Sequence, residues 1–426
     1  MQQLHKNRLI TVDALRGFAL LGIMLAHFIY WYTAGPLPQE IYSKYQGIGA
    51  TIASIFTELF VSGKFFAFFS FLFGLSFYLQ MRGLEHNQKT FISRYAWRLT
   101  LLMIIGVLHH AMWQGDILSI YVPLGFVLLA MRKLSNKWIL ILGILLAINV
   151  PGKVYEAVNF LVTKTGAPNF DSFANDAKQY NDIILKGSWS TIFKYNLSRF
   201  ITKFQFQIDS GRIYVTLGFF LLGTYTGRKK WFENLEDIRL TIKKICKKSA
   251  LIMVIALVGG LGIFGIDAAF KLGWQQNPIA GFIFSIFYQV YNAAMVVFFI
   301  SGLTMLMYRS SWQKIFYPMA AVGKMALTSY IAQTVFGLLL FYGVGFGLYG
   351  KTSPGTNYII AIGFFVLQVF FSKWYLRHFY YGPLEWLWRS GTYLKWQPFL
   401  KKSIKAPAQI VPIREAALSA LPTSVE

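Results

Sequence analysis

Three ionisable residues, Asp13, Arg16 and His27, lie inside one apolar stretch that covers residues 11–32. A hydrophobic stretch of this length is typical of a transmembrane helix. Ionisable side chains within such helices are costly and point by default to a functional site. At about 100° per residue, His27 falls roughly 20° from Arg16 and roughly 40° from Asp13 around the helix. The spacing predicts a polar stripe that descends about 21 Å through the membrane.

The residue types on this stripe suggest two kinds of chemistry. Histidine is the side chain that most readily acts as a general base near neutral pH, so His27 is a candidate base. The alternative is a buried histidine whose hydrogen bonds are satisfied by a neighbour. Arg16 either presents a positive charge to an anionic group or pairs with Asp13, three residues before it. These two roles of Arg16 are compatible.

A second group of candidate residues surrounds a tight turn at residues 114–115, in the segment that begins at Arg98. His109 precedes this turn and Asp116 follows it, so we expect both side chains near one membrane face. Asp116 either caps the next helix or orients a catalytic histidine, as carboxylates do in acid–base dyads. His27 is predicted near the same face. The convergence of His27, His109 and Asp116 is therefore a hypothesis that follows from topology.

A third polar patch lies in the segment VGKMALTSYIAQ. It contains Lys324 together with Ser329, Tyr330 and Gln333. Polar residues in such a span either take part in a site or hold neighbouring helices together. We include Lys324 among the candidate binding residues.

The composition indicates a polytopic membrane protein. Of the 426 residues, 55% are hydrophobic and 14% are charged, whereas soluble domains have about a quarter charged residues. The net charge of +24 comes from basic residues just beyond the apolar spans, which is typical of cytoplasmic loops and argues against nucleic-acid binding. The single Cys246 excludes an internal disulfide and a thiolate metal cluster. The scattered histidines form no metal motif, so no metal is expected.

The chain is predicted to be an all-α transmembrane helix bundle of about ten spans with both termini in the cytoplasm. The inner loops of this arrangement are rich in Lys and Arg, whereas the short outer loops are poor in them. The predicted spans cover residues 10–32, 54–81, 97–113, 115–131, 138–158, 211–227, 249–268, 279–307, 320–346 and 357–377.

Two regions depart from this regular pattern. Residues 159–206 form the one long outer segment, which either lies on the membrane as an amphipathic helix or covers a substrate site. Residues 1–400 are predicted to form one transmembrane domain. Residues 401–426 form a cytoplasmic tail that is first basic and then disordered.

Five motifs, in matching order from about Leu9 to about Trp396, resemble the YeiB-like family of bacterial integral membrane proteins. They are VDALRG, FFAFFSFLFGLSFYLQ, LHHAMWQGDILSIY, GKMALTSYIAQ and YGPLEWLW. The YeiB-like proteins look related to the transmembrane acyltransferase superfamily. This superfamily includes bacterial sugar and peptidoglycan O-acetyltransferases and the lysosomal heparan-α-glucosaminide N-acetyltransferase.

The resemblance implies an acyltransferase in the bacterial inner membrane. Such an enzyme passes an acetyl or other acyl group from cytoplasmic acyl-CoA to a hydroxyl or amine of an extracytoplasmic glycan or small molecule. It implies catalytic roles for His27, His109 and Asp116, and binding of the acyl-CoA by the residues Asp13, Arg16, Arg98 and Lys324. YeiB-like sequences often have Asn at the position of His27, so either His27 or His109 is the base.

Two other functions fit parts of the sequence. A transporter or channel for a small solute would also need polar residues at mid-membrane and glycine-interrupted helices such as GVGFGLYG at 343–350. A non-catalytic scaffold or lipid-binding protein would leave the polar stripe without a role. The sequence leaves the acceptor, the acyl chain length and homodimer formation open.

Overall fold

The computed structural model describes residues 9–34, 41, 44, 45, 47–82, 88–163, 171–270 and 277–401. In this part of the chain the secondary structure is helical and contains no β-strand, which confirms the all-α prediction. The predicted tail at 401–426 lies, apart from residue 401, outside the described residues.

Seven helices form the described part of the chain up to residue 163. A π-helical turn, Thr57–Val61, lies between the second helix and the third. These helices are α1 (Ile10–Phe28), α2 (Ile48–Phe56), α3 (Phe65–Arg82), α4 (Gln88–Met112), α5 (Leu118–Ala130), α6 (Asn136–Ala147) and α7 (Val150–Thr163).

After α7, the described part of the predicted outer segment contains three helices, and a helix in the core of the bundle follows them. These are α8 (Asp171–Lys186), α9 (Trp189–Ser198), α10 (Phe200–Asp209) and α11 (Arg212–Arg228). The remaining helices are α12 (Arg239–Phe270), α13 (Pro278–Leu306), α14 (Ser310–Phe316), α15 (Ala320–Lys324), α16 (Ala326–Phe341), α17 (Pro354–His378) and α18 (Pro383–Tyr393).

The lengths and hydropathies of these helices fit a multi-pass membrane protein. Among the described residues, six helical segments are long and apolar enough to cross a membrane. The number rises to eight if two bent pairs each count as one span. One pair, α6 with α7, bends by 48°, and the other, α14–α15 with α16, bends by 87°. The expected spans at 115–131 and 211–227 correspond to α5 and α11, which have only 13 and 17 residues.

Helix α1 lies inside the bundle, in contact with α3, α15, α16 and α17. Two glycines allow α1 and the segment around α15 to touch backbone to backbone. A Cβ atom on Gly17 would lie 2.1 Å from the carbonyl oxygen of Met319, and one on Gly323 would lie 1.9 Å from that of Asp13. Because no side chain fits in either gap, this crossing holds Arg16 and Lys324 near each other.

The outer segment is docked on the bundle. The backbone N–H of Gly343 donates to Ile184 O over 2.9 Å, and the hydroxyls of Tyr180 and Tyr342 lie 2.8 Å apart. Helix α9 packs against α4. These contacts show that the segment packs on the helices of the bundle.

Candidate functional site

His109, near the end of α4, and Asp116, in the turn that follows, form a buried hydrogen-bonded pair. Each residue is only 2% exposed, and His109 Nδ1 lies 2.8 Å from Asp116 Oδ1. A carboxylate can only accept, so the Nδ1–H donates to it, and in the neutral imidazole the lone pair is then on Nε2. The structure thus brings together two of the residues selected from the sequence, in the geometry of an acid–base dyad.

Asp116 also stabilises the start of α5. Its carboxylate oxygens accept hydrogen bonds from the backbone N–H groups of Leu118 and Ser119, each at 3.0 Å. The Ser119 hydroxyl donates to Asp116 Oδ2 over 2.6 Å. The two roles considered for Asp116, helix cap and histidine partner, are therefore filled by the same carboxylate.

The outer segment contributes Lys203, on α10, to this cluster. Lys203 Nζ donates to Asp116 Oδ2 over 3.0 Å and to Ser119 Oγ over 2.6 Å, and it lies 3.3 Å from His110 Nδ1. Burial lowers the pKa of the Lys203 ammonium, although Asp116 opposes this shift. The other ring nitrogen of His110 lies 2.8 Å from Asn196 O. Two helices of the outer segment thus cover the turn that carries Asp116.

The second ring nitrogen of His109 is also occupied. Thr334, on α16, is fully buried, and its Oγ1 lies 3.0 Å from His109 Nε2. In the neutral imidazole with its proton on Nδ1, the Thr334 hydroxyl donates to Nε2, and Tyr330 O is a second, longer acceptor at 3.4 Å. The resulting order of carboxylate, imidazole and hydroxyl is the same as in nucleophile–histidine–carboxylate triads.

His27 lies beside this cluster and does not belong to its hydrogen-bond network. Its ring packs edge-on against Trp113, with centroids 4.5 Å apart, and against Tyr32 at 5.4 Å. Trp113 is also 6.0 Å from the His109 ring, and its Nε1–H donates to Tyr32 O over 2.8 Å. Within the part of the chain that the structure describes, neither ring nitrogen of His27 has a hydrogen-bond partner.

A cavity of about 290 Å³ extends towards the cluster from the part of α1 that carries Arg16. It follows α1 from Arg16 to Ile23, which corresponds to about 10 Å of helix, and so ends one turn before His27. Tyr330 lines its inner end and packs on the His109 ring with centroids 4.9 Å apart. Most of the inner wall is apolar, and it includes Leu20, Ile23, Phe69, Leu72, Leu102 and Ile117.

The other end of the cavity is rich in positive charge. Arg16, Arg98, Lys324 and Arg389 all line it. Arg16 donates to Asp13 Oδ1 over 2.5 Å, as the sequence suggested, and to the Ser76 hydroxyl over 2.7 Å. This end is partly open, since all four cationic residues keep part of their surface exposed.

Aromatic rings hold two of these cations in place. The Arg98 guanidinium lies 3.7 Å above the centroid of the Trp388 ring. Arg389 lies 5.1 Å from the centroids of Tyr381 and Tyr393. Stacking of this kind orients a guanidinium while its N–H groups stay available for an anion.

Glu385, which the sequence analysis did not select, is the one acidic side chain that lines the cavity in the described part of the chain. It belongs to α18 and caps a different helix, α16. Its Oε1 accepts from the backbone N–H groups of Leu327 at 2.6 Å and Thr328 at 3.1 Å. Its Oε2 accepts from the Thr328 hydroxyl at 2.6 Å. Burial raises the pKa of Glu385, and these hydrogen bonds oppose the rise.

The structure therefore divides the residues selected from the sequence into three places. His109 and Asp116 form the buried pair, Arg16, Arg98 and Lys324 line the charged end of the cavity with Asp13 bound to Arg16, and His27 stands behind Trp113. Among the described residues, no group of three or more His, Cys, Asp or Glu side chains is arranged to hold a metal ion.

Comparison with known families matches residues 226–395 to a family described as "Protein of unknown function (DUF418)". The matched part begins near the end of α11 and extends beyond α18. It contains Lys324, Thr334, Glu385 and Arg389. The candidate site thus combines residues of the matched part with His109 and Asp116, which precede it.

Three bacterial proteins are similar to almost the whole chain. An uncharacterized protein YxaH of Bacillus subtilis is 29% identical over 94% of this chain and 98% of its own length. An uncharacterized 39.9 kDa protein from the amylase 3' region of Bacillus acidopullulyticus is 25% identical over 93% and 97%. An uncharacterized protein YeiB of Escherichia coli is 24% identical over 93% and 99%. No solved structure matches. These similarities support the resemblance to a YeiB-like family.

Proposed function

We propose that this protein is a membrane-embedded acyltransferase that moves an acetyl or other acyl group from acyl-CoA to a hydroxyl or amine of a glycan or sugar-like acceptor. The observation that carries the proposal is the cavity. Four cationic side chains line one end of it, and Tyr330, which packs on the His109 ring, lines the other. A donor with an anionic head and a reactive thioester at the end of a long arm matches this arrangement.

The charged end suits the phosphates of coenzyme A. Arginine forms bidentate hydrogen bonds with phosphate, and lysine adds a point charge. Arg389 is well suited to this role, because its buried Nε has no hydrogen-bond partner among the described residues. The volume of about 290 Å³ is near the lower end for ligand pockets. We infer that the cavity receives the pantetheine arm and the acyl group, while the nucleotide stays at the mouth.

The pair at the inner end supplies acid–base chemistry. His109 Nε2 takes the proton of the acceptor hydroxyl, either directly in place of the Thr334 hydroxyl or through it. The acceptor oxygen forms a bond with the thioester carbonyl carbon, and the carbon–sulfur bond breaks. The proton then passes from His109 to the departing thiolate. Asp116 holds the tautomer of His109 and stabilises the imidazolium that forms in between.

The acceptor is proposed to approach from the side of His27. The ring nitrogens of His27 have no hydrogen-bond partner among the described residues, so His27 is suited to contact the acceptor. With ten spans and both termini in the cytoplasm, Arg16 faces the cytoplasm and His27 the outside of the bacterial inner membrane. The number of ten is reached when the short helices α5 and α11 are added to the eight candidate spans described above. The relation of YeiB-like proteins to the transmembrane acyltransferases belongs to the same proposal.

A transporter for a small solute is the second candidate function. The observation in its favour is the 87° bend between α15 and α16, which pairs with the 48° bend between α6 and α7. Broken helices of this kind frame the substrate sites of many secondary transporters. A transporter function would give the His109–Asp116 pair no chemical role.

The test uses the purified full-length protein in lipid nanodiscs with radiolabelled acetyl-CoA. Binding of coenzyme A and release of its thiol are measured with and without bacterial envelope glycans. We expect binding and acceptor-dependent thiol release. We expect His109→Gln, whose amide can still hydrogen bond to Asp116, to bind coenzyme A normally and to lose at least about 100-fold in rate, since general base catalysis contributes about 10²–10⁴-fold.

His378→Gln is the matched control. His378 lies at the exposed end of α17, where its Nδ1 is 3.1 Å from Trp374 O. Its replacement is therefore expected to leave thiol release unchanged. Absence of both binding and turnover with every acceptor tested would exclude the acyltransferase. Solute flux into proteoliposomes that His109→Gln does not alter would establish the transporter instead.

A further inference from the structure

The hydroxyl of Tyr330 is buried without a hydrogen-bond partner. Tyr330 is 4% exposed, and its Oη makes no hydrogen bond among the described residues. The backbone of Ile117 lies beside this hydroxyl without a hydrogen bond of normal geometry. Tyr330 lines the inner end of the cavity while its ring packs on His109. The unpartnered group thus lies where the cavity meets the acid–base pair.

Three other buried tyrosines of the bundle have hydrogen-bond partners. The Tyr121 hydroxyl donates to Phe66 O over 3.0 Å and lies 2.8 Å from Ser70 Oγ. The hydroxyls of Tyr180 and Tyr342 lie 2.8 Å from each other. Burying a polar group without a partner destabilises a protein, and phenylalanine would fill the same space without that cost. A hydroxyl kept unpartnered at this position indicates a ligand atom that accepts its hydrogen bond.

The chemistry of the inner end identifies the class of that atom. The neighbouring lining residues Ile23, Leu102 and Ile117 offer only apolar side chains. A phenolic O–H is a donor, and in such an apolar place it has its greatest effect on an oxygen that gains negative charge. The carbonyl oxygen of a thioester becomes such an oxyanion when a nucleophile attacks the carbonyl carbon. Tyr330 is in contact with His109, the group that is proposed to activate that nucleophile.

We propose that the Tyr330 hydroxyl donates a hydrogen bond to the carbonyl oxygen of the bound acyl thioester and stabilises the oxyanion formed during transfer. This role rests on the proposed acyltransferase function and makes Tyr330 a catalytic residue of that reaction. The bond is made to the ground-state carbonyl and strengthens as charge develops. The hydroxyl keeps its proton throughout, because the oxygen regains its double bond when the thiolate leaves.

The test compares Tyr330→Phe with Tyr180→Phe in the full-length protein. Tyr330→Phe removes a hydroxyl that has no partner, so we expect an unchanged or higher thermal midpoint and unchanged affinity for coenzyme A. We expect its rate of acyl transfer to fall about 100- to 1,000-fold, the usual effect of removing one oxyanion donor. Tyr180→Phe removes a satisfied buried hydroxyl outside the cavity and is expected to lower the thermal midpoint while the rate stays the same.

A second measurement reports on the hydrogen bond itself. Acetyl-CoA labelled with ¹³C at the thioester carbonyl is bound to the protein, and the carbonyl stretch is recorded by isotope-edited infrared spectroscopy. We expect a shift to lower wavenumber relative to free acetyl-CoA, and its loss in Tyr330→Phe. An unshifted band in the native protein, or a native rate in Tyr330→Phe, would overturn the role of Tyr330 while leaving the acyltransferase intact. A native protein that neither binds nor consumes acetyl-CoA overturns both.

Discussion

The two ends of the cavity are built in opposite ways. At the inner end, His109, Asp116 and Thr334 are buried, and the polar groups of these three side chains have defined partners. At the other end, Arg16, Arg98, Lys324 and Arg389 are partly exposed, and two of them rest on aromatic rings. The inner end therefore fixes geometry, which proton transfer requires, whereas the charged end supplies an attractive field that tolerates movement.

The largest expected effect comes from breaking the inner end at Asp116. Asp116→Ala leaves Lys203 buried without its carboxylate, so we expect the free energy of unfolding to fall by about 3–5 kcal/mol. The measurement is a denaturation titration in mixed micelles. We expect Lys203→Met in the same background to restore part of the loss, because it removes the unpaired charge.

Asp182→Ala provides the control for this prediction. Asp182 is exposed and pairs with Lys186, four residues further along α8. Exposed pairs contribute less than about 1 kcal/mol. Similar losses for Asp116→Ala and Asp182→Ala would show that the inner end is no more fixed than the protein surface.

A smaller effect is expected at Thr334. Thr334→Val leaves His109 Nε2 buried without a donor, which is expected to lower the free energy of unfolding by about 1–3 kcal/mol. Thr334→Ser keeps the hydroxyl and loses one methyl group, at about 0.8 kcal/mol. The same titration measures both variants. If Thr334→Ser lowers the free energy of unfolding as much as Thr334→Val does, the hydrogen bond to Nε2 has no importance for stability. Only the shape of the side chain would then matter.

The smallest effect is expected at the charged end. Arg389→Gln is expected to change the free energy of unfolding by no more than about 0.5 kcal/mol. It is expected to weaken coenzyme A binding about two- to fivefold, as for a partly exposed ion pair, and the difference should shrink as salt is added. Isothermal titration calorimetry at two ionic strengths measures this. Arg377→Gln, on α17 outside the cavity, is the control, and equal weakening in both variants would contradict a local role of Arg389.

The sequence predicts local relations in this protein better than distant ones. His109 and Asp116 are selected correctly as neighbours because seven residues and one turn separate them. The helical spacing of Arg16 also identifies the face of α1 that lines the cavity. It does not reveal that the cavity stops at Ile23, because Trp113, which packs on His27, comes from another part of the chain.

The sequence pattern gives almost no indication of the site residues that come from distant parts of the chain. Lys203 is one of several lysines in the outer segment, and only the docking of that segment brings it to Asp116, 87 residues away. Thr334 is 225 residues from His109, and its only signal is its place beside the polar patch at Ser329, Tyr330 and Gln333. The count of ten spans meets a similar limit, because length and hydropathy do not distinguish a membrane span from a short buried helix such as α5.

The cap that Glu385 places on α16 has a consequence for how the protein is made. Helix α16 carries both Tyr330 and Thr334, yet the carboxylate that satisfies its first backbone N–H groups lies about 60 residues further along the chain. A nascent chain therefore inserts α16 before its N-terminal end has a partner. The site is completed only after α18 has left the ribosome and folded back against the bundle. Premature termination before Pro383 thus yields a chain that contains every residue of the His109 cluster but lacks the anchor for the helix that closes it.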